Sequence, residues 1–136
     1  MFKNIKILII LLCVCVCCSA CNKEEAGILF NSQPITKDTA LNSGRTFEAG
    51  KKVYFLFYTP KELKTEFIRV HIFTAGDNIP KGGYNIIWTK DFRIMKNNHY
   101  YYHDCFVIHK AGRYVMQVFD IHDLSQPLAW NYFYLY

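Results

Sequence analysis

Residues 66–73 read EFIRVHIF, and this stretch decides the fold. Ile68, Val70 and Ile72 recur at every second position with Arg69 and His71 between them. In an extended chain that spacing puts the aliphatic side chains on one face and the polar ones on the other, whereas a helix would scatter both sets. A strand with one face against a core is therefore predicted. Upstream, KVYFLFY (52–58) is almost continuously apolar and aromatic, the pattern of an inner strand, with Ala49-Gly50 leading into it and Pro60-Lys61-Glu62 ending it. Downstream, Asp77-Asn78, Pro80 and Gly82-Gly83 mark a loop, YNIIWTKDFRIM (84–95) supplies one or two strands, and Asn97-Asn98 makes the next turn.

The C-terminal third continues the pattern. HYYYHDCFVIH (99–109) and RYVMQVFD (113–120) read as long strands joined through Ala111-Gly112 as a hairpin, and LAWNYFYLY (128–136) follows a loop containing Asp123, Ser125 and Pro127. Helical competition is weak, with KELK (61–64) the one plausible helical turn. Roughly seven to nine strands between residues 28 and 136 predict an all-β domain, a single two-sheet antiparallel β-sandwich. The segment KAGRYVM (110–116) resembles the Asp-x-Gly-x-Tyr-x-Cys turn and strand of immunoglobulin-like domains: Gly112 and Tyr114 match, Lys110 replaces the acid, and Met116 stands at the cysteine position. The resemblance implies an immunoglobulin-like arrangement with a tyrosine at a sheet corner, and no activity.

The first twenty residues have a different character. Lys3 and Lys6 precede ILIILLCVCV (7–16), the positive and apolar regions of an export signal. The apolar stretch from Ile7 to Ala20 covers fourteen residues, short of the roughly twenty that a membrane-spanning helix needs. Cys18-Ser19-Ala20-Cys21 resembles the lipobox of bacterial lipoproteins, with Cys18 in place of the usual leucine. The resemblance implies cleavage before Cys21 and a covalent lipid on that cysteine, which would anchor the chain to a membrane in the cell envelope, on the extracytoplasmic side. Ordinary cleavage after Ala20 is the competing reading, since Cys18-Ser19-Ala20 also fits a small-x-small site. The expected organisation is a signal peptide at 1–20, a lipidated cysteine and short tether at 21–27, and the sandwich at 28–136. Of the six cysteines, cleavage would leave Cys21 and Cys105, and with Cys21 lipidated no intrachain disulfide is expected.

The formal net charge is +5, and removing Lys3 and Lys6 leaves +3 without any basic run. Nothing in that distribution resembles a nucleic-acid footprint, so no nucleic-acid partner is expected. Phosphate loops, His-Glu-x-x-His helices, nucleophile elbows and calcium loops are absent from the sequence. Two features invite a functional reading. Strand alternation puts His103, Cys105 and His109 on one face, so with a neighbouring side chain they could build a metal site or serve a cysteine-dependent enzyme. The plainer reading is exposed histidines beside a buried thiol, and no metal or other cofactor is expected.

The second feature is the last strand, where Trp130, Tyr132, Tyr134 and Tyr136 alternate with Ala129, Asn131, Phe133 and Leu135. If Phe133 and Leu135 enter the core, the opposite face offers a ladder of amphipathic rings, which Tyr100 and Tyr102 could widen from another strand. That face is either covered by the domain itself or free to meet an envelope protein, a peptide or a glycan. Three functions follow: a non-enzymatic binding or scaffold module tethered in the envelope, a small metal- or cysteine-dependent enzyme, or a structural lipoprotein that dimerises through its aromatic face.

Overall fold

In the computed structural model, residues 25–75 and 85–136 are described. The expected signal peptide at 1–20, Cys21 and the expected loop at 77–83 lie outside them. Among the described residues the chain forms β1 (Gly27–Asn31), α1 (Lys37–Ala40), β2 (Thr46–Phe47), β3 (Lys52–Tyr58), β4 (Phe67–Thr74), β5 (Ile86–Arg93), β6 (Tyr101–Val107), β7 (Gly112–Asp120) and β8 (Ala129–Leu135). The strands make two sheets, ordered β1-β3-β6 and β2-β8-β7-β4-β5. The expected all-β, two-sheet architecture is present. All pairs but one are antiparallel; the exception to the expected antiparallel sandwich is β2, which runs parallel to the end of β8 through Thr46 opposite Tyr134 and Phe47 opposite Leu135.

The alternation that decided the reading is realised on β4, where Ile68, Val70 and Ile72 are fully buried and Arg69 and His71 are not. From the facing sheet, Val53, Phe55 and Phe57 of β3 meet them. Rings link the layers: Phe133 of β8 lies 5.0 Å from Phe30, 5.1 Å from Phe106 and 5.5 Å from Tyr114, centroid to centroid. Cys105 is the free cysteine among the described residues, so apolar and aromatic burial, not a covalent link, holds these two sheets together. Asn131 adds one polar tie between the layers, its Nδ2 donating to the Ile28 carbonyl at 2.7 Å.

The expected hairpin of 99–109 with 113–120 is not formed. β6 pairs with β3 in one sheet, while β7 lies between β4 and β8 in the other. Ala111-Gly112 is a corner that carries the chain across the core. Gly112 sits at φ +156°, a conformation L side chains rarely adopt, and the Tyr114 hydroxyl donates to the Lys110 carbonyl at 2.7 Å. A local turn signal is the same for a hairpin and for such a corner. What separates them is that Phe106 and Tyr114 must both face the core, from opposite layers.

Smaller details differ from or narrow the expectation. KELK is not helical; the short helix is α1, where the Thr36 hydroxyl accepts from the Thr39 backbone amide and the Thr39 hydroxyl accepts from that of Thr36. YNIIWTKDFRIM yields one strand, and β6 spans less than 99–109, leaving His99 and His109 beyond its ends. The registers also sort the connections. The start of β1 and the β3–β4, β5–β6 and β7–β8 connections share one end of the sandwich, and the end of β8 lies at the other.

Candidate functional site

The outer face of the five-stranded sheet is built from alternate residues of β8, β7 and β4. Phe133 and Leu135 enter the core, which turns Trp130, Tyr132 and Tyr134 outward. Across to β7, Arg113 is opposite Tyr134, Val115 opposite Tyr132 and Gln117 opposite Trp130. The rings are not covered: Trp130 is 62% exposed, Tyr134 40% and Tyr136 72%. Tyr132 is half-buried because Arg45 lies over it, its guanidinium 4.3 Å from the ring centroid and its Nη1 donating to the phenol oxygen. Arg113 approaches the same ring at 5.6 Å and that of Tyr134 at 5.9 Å, and the two tyrosines meet edge to face at 5.8 Å.

Neither Arg45 nor Arg113 has a carboxylate within ion-pair distance among the described residues. Two guanidinium groups held against tyrosine rings keep N–H donors for an incoming acceptor while presenting little flexible side chain. Neighbouring Arg69 is different, because it grips Asp91 through two bonds of 2.7 and 2.8 Å. The bond from Arg69 holds the Asp91 carboxyl below its ordinary value. Between these regions His71 packs on Phe119 at 5.2 Å. Burial lowers its pKa, the Arg69 charge lowers it further, and Asp91 opposes both.

Tyr100 and Tyr102 do not join this face. They belong to the approach and start of β6, in the other sheet. Tyr102 turns toward the core, its ring 4.7 Å from that of Phe92 and its hydroxyl donating to Asp104 Oδ2 at 3.3 Å. Burial, then the charge of Asp104, pushes its pKa up to about 12. His103 and Cys105 sit opposite Leu56 and Tyr54 of β3, Cys105 half-buried, and His109 lies past the strand end near Gly50. Among the described residues, no three His, Cys, Asp or Glu side chains come together in a group that could hold a metal ion. His99 Nδ1 lies 2.9 Å from the Leu63 carbonyl, so that nitrogen carries the proton and fastens one connection to another. Asp120 and Asp123 accept from the backbone amides of His122 and Ser125, which makes them turn-shaping residues.

Neither Arg45 nor Arg113 is a defining position of a recognisable sequence motif. Arg113 had a readable signal, its outward position on a strand beside Tyr134; Arg45 reaches Tyr132 across 87 positions of sequence and had none. No protein-family model matches the chain, and no curated protein matches it in sequence.

Proposed function

We propose that the chain is an exported lipoprotein, anchored through Cys21 in the cell envelope, whose sandwich is a non-enzymatic, immunoglobulin-like binding module. The observation that carries the binding reading is the uncovered cluster of Tyr132 and Tyr134 with Arg45 and Arg113, whose guanidiniums lack an acidic partner among the described residues. Tyrosine, tryptophan and arginine are the side chains that contribute most to protein contacts, because each joins a large rigid surface to polar donors. The immunoglobulin-like reading is supported by the sheet order. Setting β2 aside, the first, second and fifth strands form one sheet, and the third, sixth and seventh lie in the other with the fourth at its edge. The Tyr114 bond to Lys110 supports it as a tyrosine corner.

The test is crosslinking in intact cells, comparing wild type with an Arg113→Ala/Tyr134→Ala variant shown to be folded. The expected result is a specific partner bound by wild type and lost by the variant. Capture of the same species by both would remove this face from the binding role.

A further inference from the structure

We propose that the end of the sandwich where β1 begins rests in the interfacial layer of a lipid bilayer, with Leu124, Leu128 and Trp130 as the side chains that enter it. The inference rests on the lipidation of Cys21 proposed above. Chain length is its first support. Three residues separate Cys21 from Glu25, and even fully extended they keep Glu25 within roughly 14 Å of the lipidated residue. Whatever surface surrounds Glu25 is therefore held against the membrane.

That surface is the second support. Glu25 and Ala26 line one open groove with Pro60, Leu128 and Trp130. Trp130 is 62% exposed, Leu124 43% and Leu128 37%, and at the same end the β5–β6 connection adds Met95 at 76%. Connections facing water usually carry polar turn residues, and large apolar side chains contributed by separate connections to one end of a domain form a surface suited to another phase. Tryptophan is favoured at the headgroup level, where its ring meets acyl chains and its N–H meets water.

Charge at this end decides how the contact works. Among the described residues at this end, Lys61, Lys64, Arg93 and Lys96 are matched to within one charge by Glu25, Glu62, Glu66, Asp120 and Asp123, so there is no cationic excess, insertion is driven by apolar burial and neutral lipid suffices. The orientation also divides the aromatic strand. Trp130 lies at the lipid, while Tyr136, six positions further along an extended chain, stands roughly 20 Å above it. The Tyr132 and Tyr134 face with its two arginines then stands upright from the bilayer and stays open to a partner.

The experiment uses the full chain, processed in cells and reconstituted into phosphatidylcholine vesicles with or without bromine on the acyl chains. Mass analysis of the N-terminal peptide reads the lipid on Cys21 directly. With lipid present, brominated vesicles are expected to quench roughly half or more of the Trp130 emission, because interfacial side chains sit about 5–10 Å into the headgroup and acyl boundary. A Trp130→Phe variant, in which Trp88 alone reports, should lose that quenching. Equal quenching of both proteins, or of neither, would overturn the orientation while leaving the lipoprotein reading intact. An unlipidated Cys21 would instead remove the lipoprotein reading, and the orientation with it.

Discussion

Replacing Tyr114 with phenylalanine isolates the bond that closes the corner between the two sheets. Tyr114 is 1% exposed and its ring stacks on Phe133 at 5.5 Å and 22°, contacts that a phenylalanine ring keeps. What is lost is the hydroxyl's 2.7 Å bond to the Lys110 carbonyl. A neutral hydrogen bond contributes about 1 kcal/mol net, and leaving a buried acceptor unpaired costs about 1–3 kcal/mol in addition. Lys110 is an exposed residue, so water can replace the lost donor and the additional cost does not apply. The expected loss is therefore about 1 kcal/mol, a drop of roughly 5 °C in Tm for a domain of this size. Burial pushes the Tyr114 phenol up from its ordinary value, so the hydroxyl stays protonated at neutral pH and the loss is flat across that range. Urea unfolding followed by fluorescence measures it, with equal slopes for the two proteins as the condition for comparison. A loss below about 0.3 kcal/mol would show that Gly112 and packing hold the corner unaided. A loss above about 3 kcal/mol would show that the ring itself had been displaced, since a value that large belongs to emptying a core site.

Further outcomes test other parts of the structure. Phe133→Ala, at a fully buried site between rings of both sheets, is expected to cost about 3–5 kcal/mol in the same urea assay. Tyr102 holds its proton more tightly in the folded state, with a pKa of about 12 against 10.0, so its contribution to stability is present below pH 10.0 and lost as pH rises toward 12. Alkaline melts should show that Tyr102→Phe weakens this dependence, and an unchanged profile would place the alkaline loss elsewhere. His71 has the opposite sense: its lowered pKa means the unfolded chain takes up a proton first, so stability falls as pH drops below the ordinary 6.5. NMR titration of its imidazole should give a value below the ordinary 6.5 if burial is the cause. Cys21→Ala should abolish lipid labelling and release the protein from membranes, and unchanged membrane retention would count against the anchor.

Strands with one buried face, such as β4 and β8, are legible in the sequence. Ile68, Val70 and Ile72 made β4 plain, and Phe133 with Leu135 correctly implied that the rings between them point outward. The sequence does not reveal which strands are neighbours. Ala111-Gly112 carries the same local preference whether the next strand pairs sideways or crosses the core, and only the packing of Phe106 opposite Tyr114 and Phe133 decides between them. Periodicity grouped His103, Cys105 and His109 on one face, but β6 ends at Val107 and the row stops short of His109. α1 is not legible in the sequence because a four-residue helix has no periodicity and depends on the hydroxyls of Thr36 and Thr39. The arginine half of the candidate site arises from tertiary structure, as Arg45 is brought to Tyr132 by the parallel pairing of β2 with β8.

That parallel pairing also constrains the order in which the fold can be completed. β2 has no partner until the last residues of the chain are available: the Phe47 carbonyl accepts from the Tyr136 amide at 3.0 Å, and the Ala49 amide donates to the Tyr136 carbonyl at 2.9 Å. β3 can pair early with β1, but its second edge is filled only when β6 arrives, with Val53 opposite Phe106. Chain closures of this length are slow, placing such topologies in the millisecond-to-second range. A polypeptide emerging N-terminus first from a ribosome or a membrane channel therefore cannot lock this sandwich until its C-terminal strand has cleared the exit, which leaves the chain threadable for as long as it is still in transit.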